Sequence, residues 1–211
     1  MDQNTQLSEN EKKVLFDLAQ KGATASASAI SKMINKPVKL DVKEVSYLEV
    51  EKIGGTILDS ETVVTTLYLR ITGDIAGSIV LVFPNVCAFF LVELLSQKNG
   101  DRQKTKFTEY EKSILKEISN IVSGSFLKSL SDYLGLSLVE SIPDMTTDMA
   151  QAAMDSVLID FAHSARKAIT VNIVIASNEE KIRGGFFLLF DSASADIILK
   201  SLKGKINNVK Q

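Results

Sequence analysis

A short segment of the chain, SILKEISNIVSG (113–124), places polar side chains at helical spacing. Ser113, Glu117 and Asn120 lie at positions i, i+4 and i+7 and share one stripe of a helix, which Gly124 continues for one more turn. Asn is a poor helix former, so its place in the middle of a helix needs a reason. A carboxylate beside a carboxamide offers hydrogen-bond acceptors and donors to a partner. The alternatives are an ordinary solvated surface and a face that contacts another molecule.

This segment lies in the second of two internal repeats. Residues 7–20 (LSENEKKVLFDLAQ) align with residues 107–120 (FTEYEKSILKEISN) at an offset of 100. A second block aligns residues 77–95 with residues 184–202 at an offset of 107. Self-similarity of this kind indicates a duplicated structural unit.

Each repeat is predicted to begin with a long amphipathic helix. The helices span 8–34 and 108–134, and they start at Ser8 and Thr108. Each of these residues is followed three positions later by a glutamate, which predicts a capping box. The second of these helices positions the stripe that contains Glu117.

Runs of β-branched and aromatic residues, bounded by Gly, Pro and Asn, predict three strands in each repeat. The strands span 37–45, 61–73 and 77–84 in the first repeat and 136–142, 167–177 and 183–190 in the second. Hairpin turns are predicted at 72–77 and 177–185, closing helices at 85–97 and 192–203, and an additional helix at 147–162.

Two α-β-β-β-α units of this size predict an α+β fold in which long helices flank an antiparallel sheet. We expect a single domain over 1–211, with pseudo-twofold repeats at about 7–97 and 107–204. The polar connection between the repeats lacks the Pro/Ser-rich composition of a linker, so separable domains are not expected.

Composition excludes several function classes. The formal charge is −2 with no basic stripe, which argues against nucleic acid as a partner. One cysteine and one histidine exclude an internal disulfide and a His/Cys metal cluster, so no metal site is expected. The N-terminal segment has no apolar signal-peptide core, and the longest apolar run, 86–95, is too short to span a bilayer. These features predict a cytoplasmic protein.

The stripe and its surroundings resemble the CheC family of chemotaxis phosphatases (the CheC/CheX/FliY superfamily). That family carries Ser or Asp, three residues, Glu, two residues, Asn, twenty-two residues and Pro. Here the pattern is met in register by Ser113, Glu117, Asn120 and Pro143. The segment IPDMTTDMAQAAMDSVL (142–158) also resembles the family's Pro–Asp–Met segment.

The first repeat departs from that pattern at every position. Register places Lys13, Asp17, Gln20 and Lys43 where the family has Ser/Asp, Glu, Asn and Pro. The reach of each functional side chain is therefore altered by about 1 Å, and misplacement on that scale can cost about 10²-fold in rate. We expect a degenerate, inactive first site at Asp17 and Gln20.

The resemblance implies a hydrolase that dephosphorylates the aspartyl phosphate of a CheY-like response regulator. In this reading Asn120 holds the attacking water, and Glu117 pairs with a lysine of the regulator. Ser113 and Gly124 contact the partner surface, and Pro143 is structural. No cofactor of the protein's own is implied, because the regulator carries the Mg²⁺. A CheD-like deamidase is implied as a further partner.

A second reading stays open. The same face of the helix could dock a receiver domain or a flagellar-switch component without turnover. FliM-type chains resemble CheC but normally carry an additional C-terminal domain, whereas this chain ends at Gln211, soon after the second repeat. That favours a stand-alone protein, and the phosphatase is the main expectation.

Overall fold

A computed structural model describes residues 7–49, 61–96, 106–161, 165–177 and 180–208. The described residues form five helices and seven strands. In chain order these are α1 (Glu9–Ile34), β1 (Lys39–Glu49), β2 (Val63–Gly73), β3 (Gly77–Pro84), α2 (Asn85–Ser96), α3 (Glu109–Leu134), β4 (Leu138–Glu140), β5 (Asp144–Met149), α4 (Ala150–Phe161), β6 (Ala165–Ser177), β7 (Glu180–Asp191) and α5 (Ser192–Asn208).

All strands belong to one antiparallel sheet with the order β1-β6-β7-β3-β2-β4, and β5 also pairs with β2. The central strands β3 and β7 come from different repeats. The first strand of each repeat lies at the sheet edge beside the second strand of the other repeat, since β1 pairs with β6 and β4 with β2. The predicted α+β class with a pseudo-twofold arrangement is confirmed.

Both faces of the sheet are covered, but unequally. Four helices, α1, α2, α3 and α5, bury one face in a large apolar core, and α4 packs on the other face against residues such as Val80 and Phe187. The central strand β3 is therefore buried on both faces, which explains its nearly continuous run of apolar residues, SIVLVF.

The two long helices match their predicted bounds closely. α1 and α3 each contain 26 residues, and each starts at the predicted capping box. Each ends at a residue with left-handed backbone geometry, Asn35 with φ 52° and Gly135 with φ 73°, which is the usual way to terminate a helix.

Several predicted bounds need correction. The strand predicted at 37–45 spans 39–49, and the closing helix predicted at 192–203 extends to 208. The additional helix begins at Ala150 rather than at 147, because the Thr-rich segment before it forms β5, in which Thr147 lies opposite Thr65 of β2. The predicted strand 136–142 is shortened to β4. The predicted turn 177–185 is mostly strand, because β7 starts at Glu180, and positions 178 and 179 lie outside the described residues.

Candidate functional site

The helix that carries the predicted site, α3, is fixed at its start by two reciprocal hydrogen bonds. The backbone N–H of Glu111 donates to Thr108 Oγ1 at 3.3 Å, and the backbone N–H of Thr108 donates to Glu111 Oε2 at 2.7 Å. These bonds satisfy two donors that the first turn would otherwise leave unpaired. The rotation of the helix is then set by Leu115, Ile118 and Val122, which are buried in the main core.

The opposite side of α3 presents the predicted stripe. Ser113 and Glu117 are exposed, whereas Asn120 and Gly124 are half-buried. Within the described part of the chain, neither the Glu117 carboxylate nor the Asn120 amide has a hydrogen bond or ion pair with another residue. Both side chains are therefore available to a partner molecule.

Helix α1 supports α3 just after Asn120. A Cβ atom at Gly22 would lie 2.8 Å from the Cα of Phe126, so the two helix backbones approach closely at this point. The hydroxyl of Ser26, which donates to Gly22 O at 2.9 Å, also lies 3.4 Å from the carbonyl oxygen of Ile121. The backbones of α1 and α3 are therefore in direct contact over the two turns that follow Asn120.

The equivalent positions of the first repeat are arranged differently. Asp17 and Lys13 are exposed, but the amide oxygen of Gln20 accepts a long hydrogen bond, 3.4 Å, from the backbone N–H of Val42. The β1–β6 register shifts between Val42 and Glu44, so Gln20 bonds to the strand at this irregularity. Gln20 thus has a structural contact within the chain, which Asn120 lacks among the described residues.

Pro143 occupies the position equivalent to Lys43 of β1. It is buried and lies between the end of β4 and the start of β5, where a residue without a backbone N–H interrupts the edge strand. Lys43, in contrast, is exposed and lies 3.6 Å from Asp41 in an ion pair. The two repeats therefore differ in the strand segment that faces their long helices.

Sequence reasoning did not identify Glu140 as part of this region. Its Oε1 lies 3.0 Å from the position that a Cβ atom would take at Gly124, and its Oε2 is buried without a hydrogen-bond partner among the described residues. Burial raises the pKa of the Glu140 carboxyl, and the nearby Ser123 hydroxyl partly opposes this shift. The repeat alignment could have pointed to Glu140, because it places this glutamate opposite the buried apolar residue Leu40.

Within the described ranges, no group of three or more His, Cys, Asp or Glu side chains is placed to hold a metal ion. Among those same residues, no helix has the length and apolar character needed to cross a membrane.

Comparisons with known proteins bear on both sequence and fold. The chain is 26% identical over 199 residues to the CheY-P phosphatase CheC of Bacillus subtilis, covering 93% of this chain and 95% of the relative. The structure is similar to that of Thermotoga maritima FliY, with a TM-score of 0.73 and 16% identity over 94% of this chain and 98% of the other. It is also similar to FliM in the H. pylori FliM–SpeE complex, with a TM-score of 0.69, 16% identity and coverage of 94% and 97%. No protein-family model matches.

The fold is that of the α+β proteins FliY and FliM. The sequence relation to CheC agrees with that class over nearly the whole chain. The resemblance to the CheC/CheX/FliY superfamily that the motif indicated is therefore confirmed.

Proposed function

We propose that this protein is a phosphatase that dephosphorylates the aspartyl phosphate of a CheY-like response regulator in chemotaxis signalling. The observation that carries the proposal is the pairing of Glu117 and Asn120 on one accessible stripe of α3, with neither side chain engaged by the described residues. The relative named as a CheY-P phosphatase supports this substrate class. A chemotaxis regulator as substrate implies action in the cytoplasm.

Asn120 is the catalytic residue that positions the attacking water in this proposal. A water molecule attacks phosphorus, the bond between phosphorus and the aspartyl oxygen breaks, and inorganic phosphate and a free carboxylate are released. The Asn120 amide holds this water in line with the breaking bond, since an amide both accepts from and donates to water. It is neutral and adds no repulsion against the phosphoryl group. Positioning and electrostatic stabilisation are the main contributions a protein makes to phosphoryl transfer.

Glu117 acts one turn before Asn120, as a catalytic residue that contacts the substrate. Its exposed carboxylate pairs with a lysine of the regulator and so sets the orientation of the two proteins. Ser113 is small and exposed at the start of the stripe, which lets the partner surface approach α3 closely. The Mg²⁺ needed for the reaction is carried by the regulator as part of the substrate.

We place one active site in the chain rather than two. The amide oxygen of Gln20 already accepts a hydrogen bond from the backbone N–H of Val42, and the side chain of Asp17 is one methylene shorter than the glutamate of the pattern. Both differences reduce the ability of the first repeat to position a water molecule. The first site, Asp17 and Gln20, is proposed to be inactive.

A binding module is the second candidate function. The structures of FliY and FliM are more similar to this one, with TM-scores of 0.73 and 0.69, than the structure of Borrelia burgdorferi CheX is. The CheX structure, a complex with CheY, BeF3 and Mg²⁺, gives a TM-score of 0.50 with 14% identity over 83% of this chain and 99% of that one. In this alternative, the same stripe docks a receiver or a flagellar-switch partner without turnover. A CheD-like deamidase stays a prediction from the family resemblance.

The discriminating experiment measures phosphate release from a phosphorylated receiver. The CheY of the same organism, and that of Bacillus subtilis as a second substrate, are phosphorylated with acetyl phosphate and Mg²⁺, and release is followed with and without the purified protein. The proposal predicts acceleration that Glu117→Ala reduces strongly and that Asp17→Ala, its counterpart in the first repeat, leaves unchanged. Binding of both receivers without acceleration of either would favour the binding module.

A further inference from the structure

The two repeats differ in polarity beneath the helical turn that carries the motif. In the first repeat the positions behind this turn are Ala19, Ala23 and Leu40, and all three are buried in the main apolar core. The aligned residues of the second repeat are Ser119, Ser123 and Glu140. Ser119 and Ser123 are fully buried, and Glu140 is half-buried against α3.

Stability does not account for this polar cluster. Both serine hydroxyls donate to carbonyl groups of their own helix, Ser119 to Lys116 O at 2.8 Å and Ser123 to Ser119 O at 2.6 Å. Glu140 Oε2 has no hydrogen-bond partner among the described residues, and the Ser123 hydroxyl only partly offsets the cost of burying this carboxyl group. Leu40 shows that an apolar side chain suits the equivalent position of the same fold.

The Glu140 carboxyl group lies on the proposed active face. Side chains of a helix lean toward its N-terminus, so the space above Gly124 extends back toward Asn120, one turn earlier. Glu140 Oε1 occupies that space, 3.0 Å from the position of a Cβ atom at Gly124. Glu117 and Glu140 therefore flank Asn120 on opposite sides along the stripe.

No cation of the described chain neutralises Glu140. Its carboxyl is influenced by burial and by the Ser123 hydroxyl, and no lysine or arginine contributes. Lys128, one turn beyond Gly124, is itself paired with Asp132 at 3.2 Å. A carboxylate in this position gains most from a cation supplied by another molecule, since pairing removes the cost of its burial.

We propose that Glu140 is a second docking carboxylate, which binds a basic side chain of the receiver on the side of Asn120 opposite Glu117. The proposal rests on the proposed function and adds a specificity-determining residue to it. It also gives Gly124 a further role, because a larger residue there would displace the carboxyl group.

The first test separates docking from folding. Glu140→Gln and Glu140→Leu are compared with wild type for kcat and KM on the phosphorylated receiver, and for the Kd of the receiver by calorimetry. We expect KM and Kd to rise about tenfold in both variants, with kcat within about twofold of wild type. Glu140→Leu should also raise the Tm by about 2–4 °C, because it replaces an unpaired half-buried carboxylate with the residue type found at position 40. Glu44→Gln, an exposed strand carboxylate in the first repeat, is the matched control and should change neither constant.

The second test is a double-mutant cycle between positions 124 and 140. Gly124→Ala should raise KM several-fold in the wild-type background, because its new Cβ displaces Glu140 Oε1. In the Glu140→Ala background the same change should have little effect, so the two substitutions should be strongly non-additive. Gly204→Ala, in α5 with no atom near the added Cβ, controls for the gain in helix propensity.

The outcomes distinguish this inference from the proposed function. Unchanged KM and Kd in both Glu140 variants, or additive effects in the cycle, would overturn the role of Glu140 while leaving the phosphatase intact. A wild-type protein that does not accelerate phosphate release would refute the phosphatase, and the Kd values would still test the docking carboxylate. A Glu140→Leu protein that is less stable than wild type would assign Glu140 a structural role instead.

Discussion

The crossing of α1 and α3 at Gly22 gives a prediction whose magnitude follows from the geometry. In Gly22→Ala the added Cβ would lie 2.8 Å from Phe126 Cα, 3.1 Å from Phe126 N and 3.3 Å from Ser125 O. Carbon atoms pack best at about 3.5–4.0 Å, so the helices must separate by roughly 0.7–1.2 Å. The obstacle is backbone, which cannot rotate away as a side chain would.

Overpacking of this kind costs about 1–3 kcal/mol, and the better helix propensity of Ala returns up to about 1 kcal/mol. We therefore expect Gly22→Ala to lower the free energy of unfolding by up to about 2 kcal/mol relative to wild type, or the Tm by up to about 8 °C, and to be about 1–3 kcal/mol less stable than a control that gains the same helix propensity without the clash. Urea denaturation followed by circular dichroism measures this change. The control is Gly204→Ala, which meets no neighbouring atom and should be neutral or stabilising.

The activity of the Gly22→Ala protein provides a second readout. The shift of α1 acts on the turn that follows Asn120, so kcat should fall while the folded protein still binds the receiver. A Gly22→Ala protein as stable as the Gly204→Ala protein would refute the close helix contact. Normal kcat in a destabilised protein would refute the idea that this crossing positions Asn120.

Three further predictions concern the capping box, the first repeat and pH. Thr108→Ala should lower the free energy of unfolding by about 1 kcal/mol in urea denaturation, because it removes the side-chain acceptor for Glu111 N–H; no loss would contradict the cap. Gln20→Ala should cost at most about 1 kcal/mol, since it loses one long hydrogen bond from Val42 N–H, and should leave phosphate release unchanged; reduced release would show an active first site. Burial raises the pKa of the Glu140 carboxyl above its ordinary value of 4.5, so the folded protein binds the carboxyl proton more tightly than the unfolded chain does. The wild-type protein therefore loses stability as pH rises from 4.5 through the raised value. The advantage of Glu140→Gln over wild type in the free energy of unfolding should therefore grow as pH rises from 4.5 through the raised value, and a difference that is constant with pH would contradict the shift.

Local patterns in the sequence predicted much of the fold. The bounds of α1 and α3 were predictable because caps, apolar periodicity and terminating residues all lie within one continuous segment. Strand β3 was predicted with its observed bounds because both of its faces are apolar. The repeat also indicated which elements are equivalent, although the pairing of each first strand with the other repeat is a property of the assembled sheet.

Elements that depend on contacts across the chain were not predictable in this way. Strand β5 is polar and mostly exposed, and it is defined by its pairing with β2, about eighty residues earlier. Residues 147–149 were therefore predicted as the start of the helix that follows them, although they belong to β5. The polar, Thr-rich composition of β5 gave only a weak strand signal.

The residues of the candidate site also differ in whether the local sequence could identify them. Glu117 and Asn120 could be found from spacing within one helix. The contact between Glu140 and Gly124 joins a strand to a helix, and the bond from Val42 N–H to Gln20 also links separate elements. Such contacts appear only when the elements are packed together. The repeat alignment gave a partial signal, since it set a glutamate against a buried leucine.

The kcat of Asn120→Ala with saturating phosphorylated receiver is the measurement that bears most directly on the proposed mechanism. If the amide positions the attacking water, kcat should fall by about 10²–10³-fold while the Kd of the receiver stays within about twofold of wild type. A kcat within about threefold of wild type, at an unchanged Kd, would contradict the assignment of Asn120 as the catalytic residue.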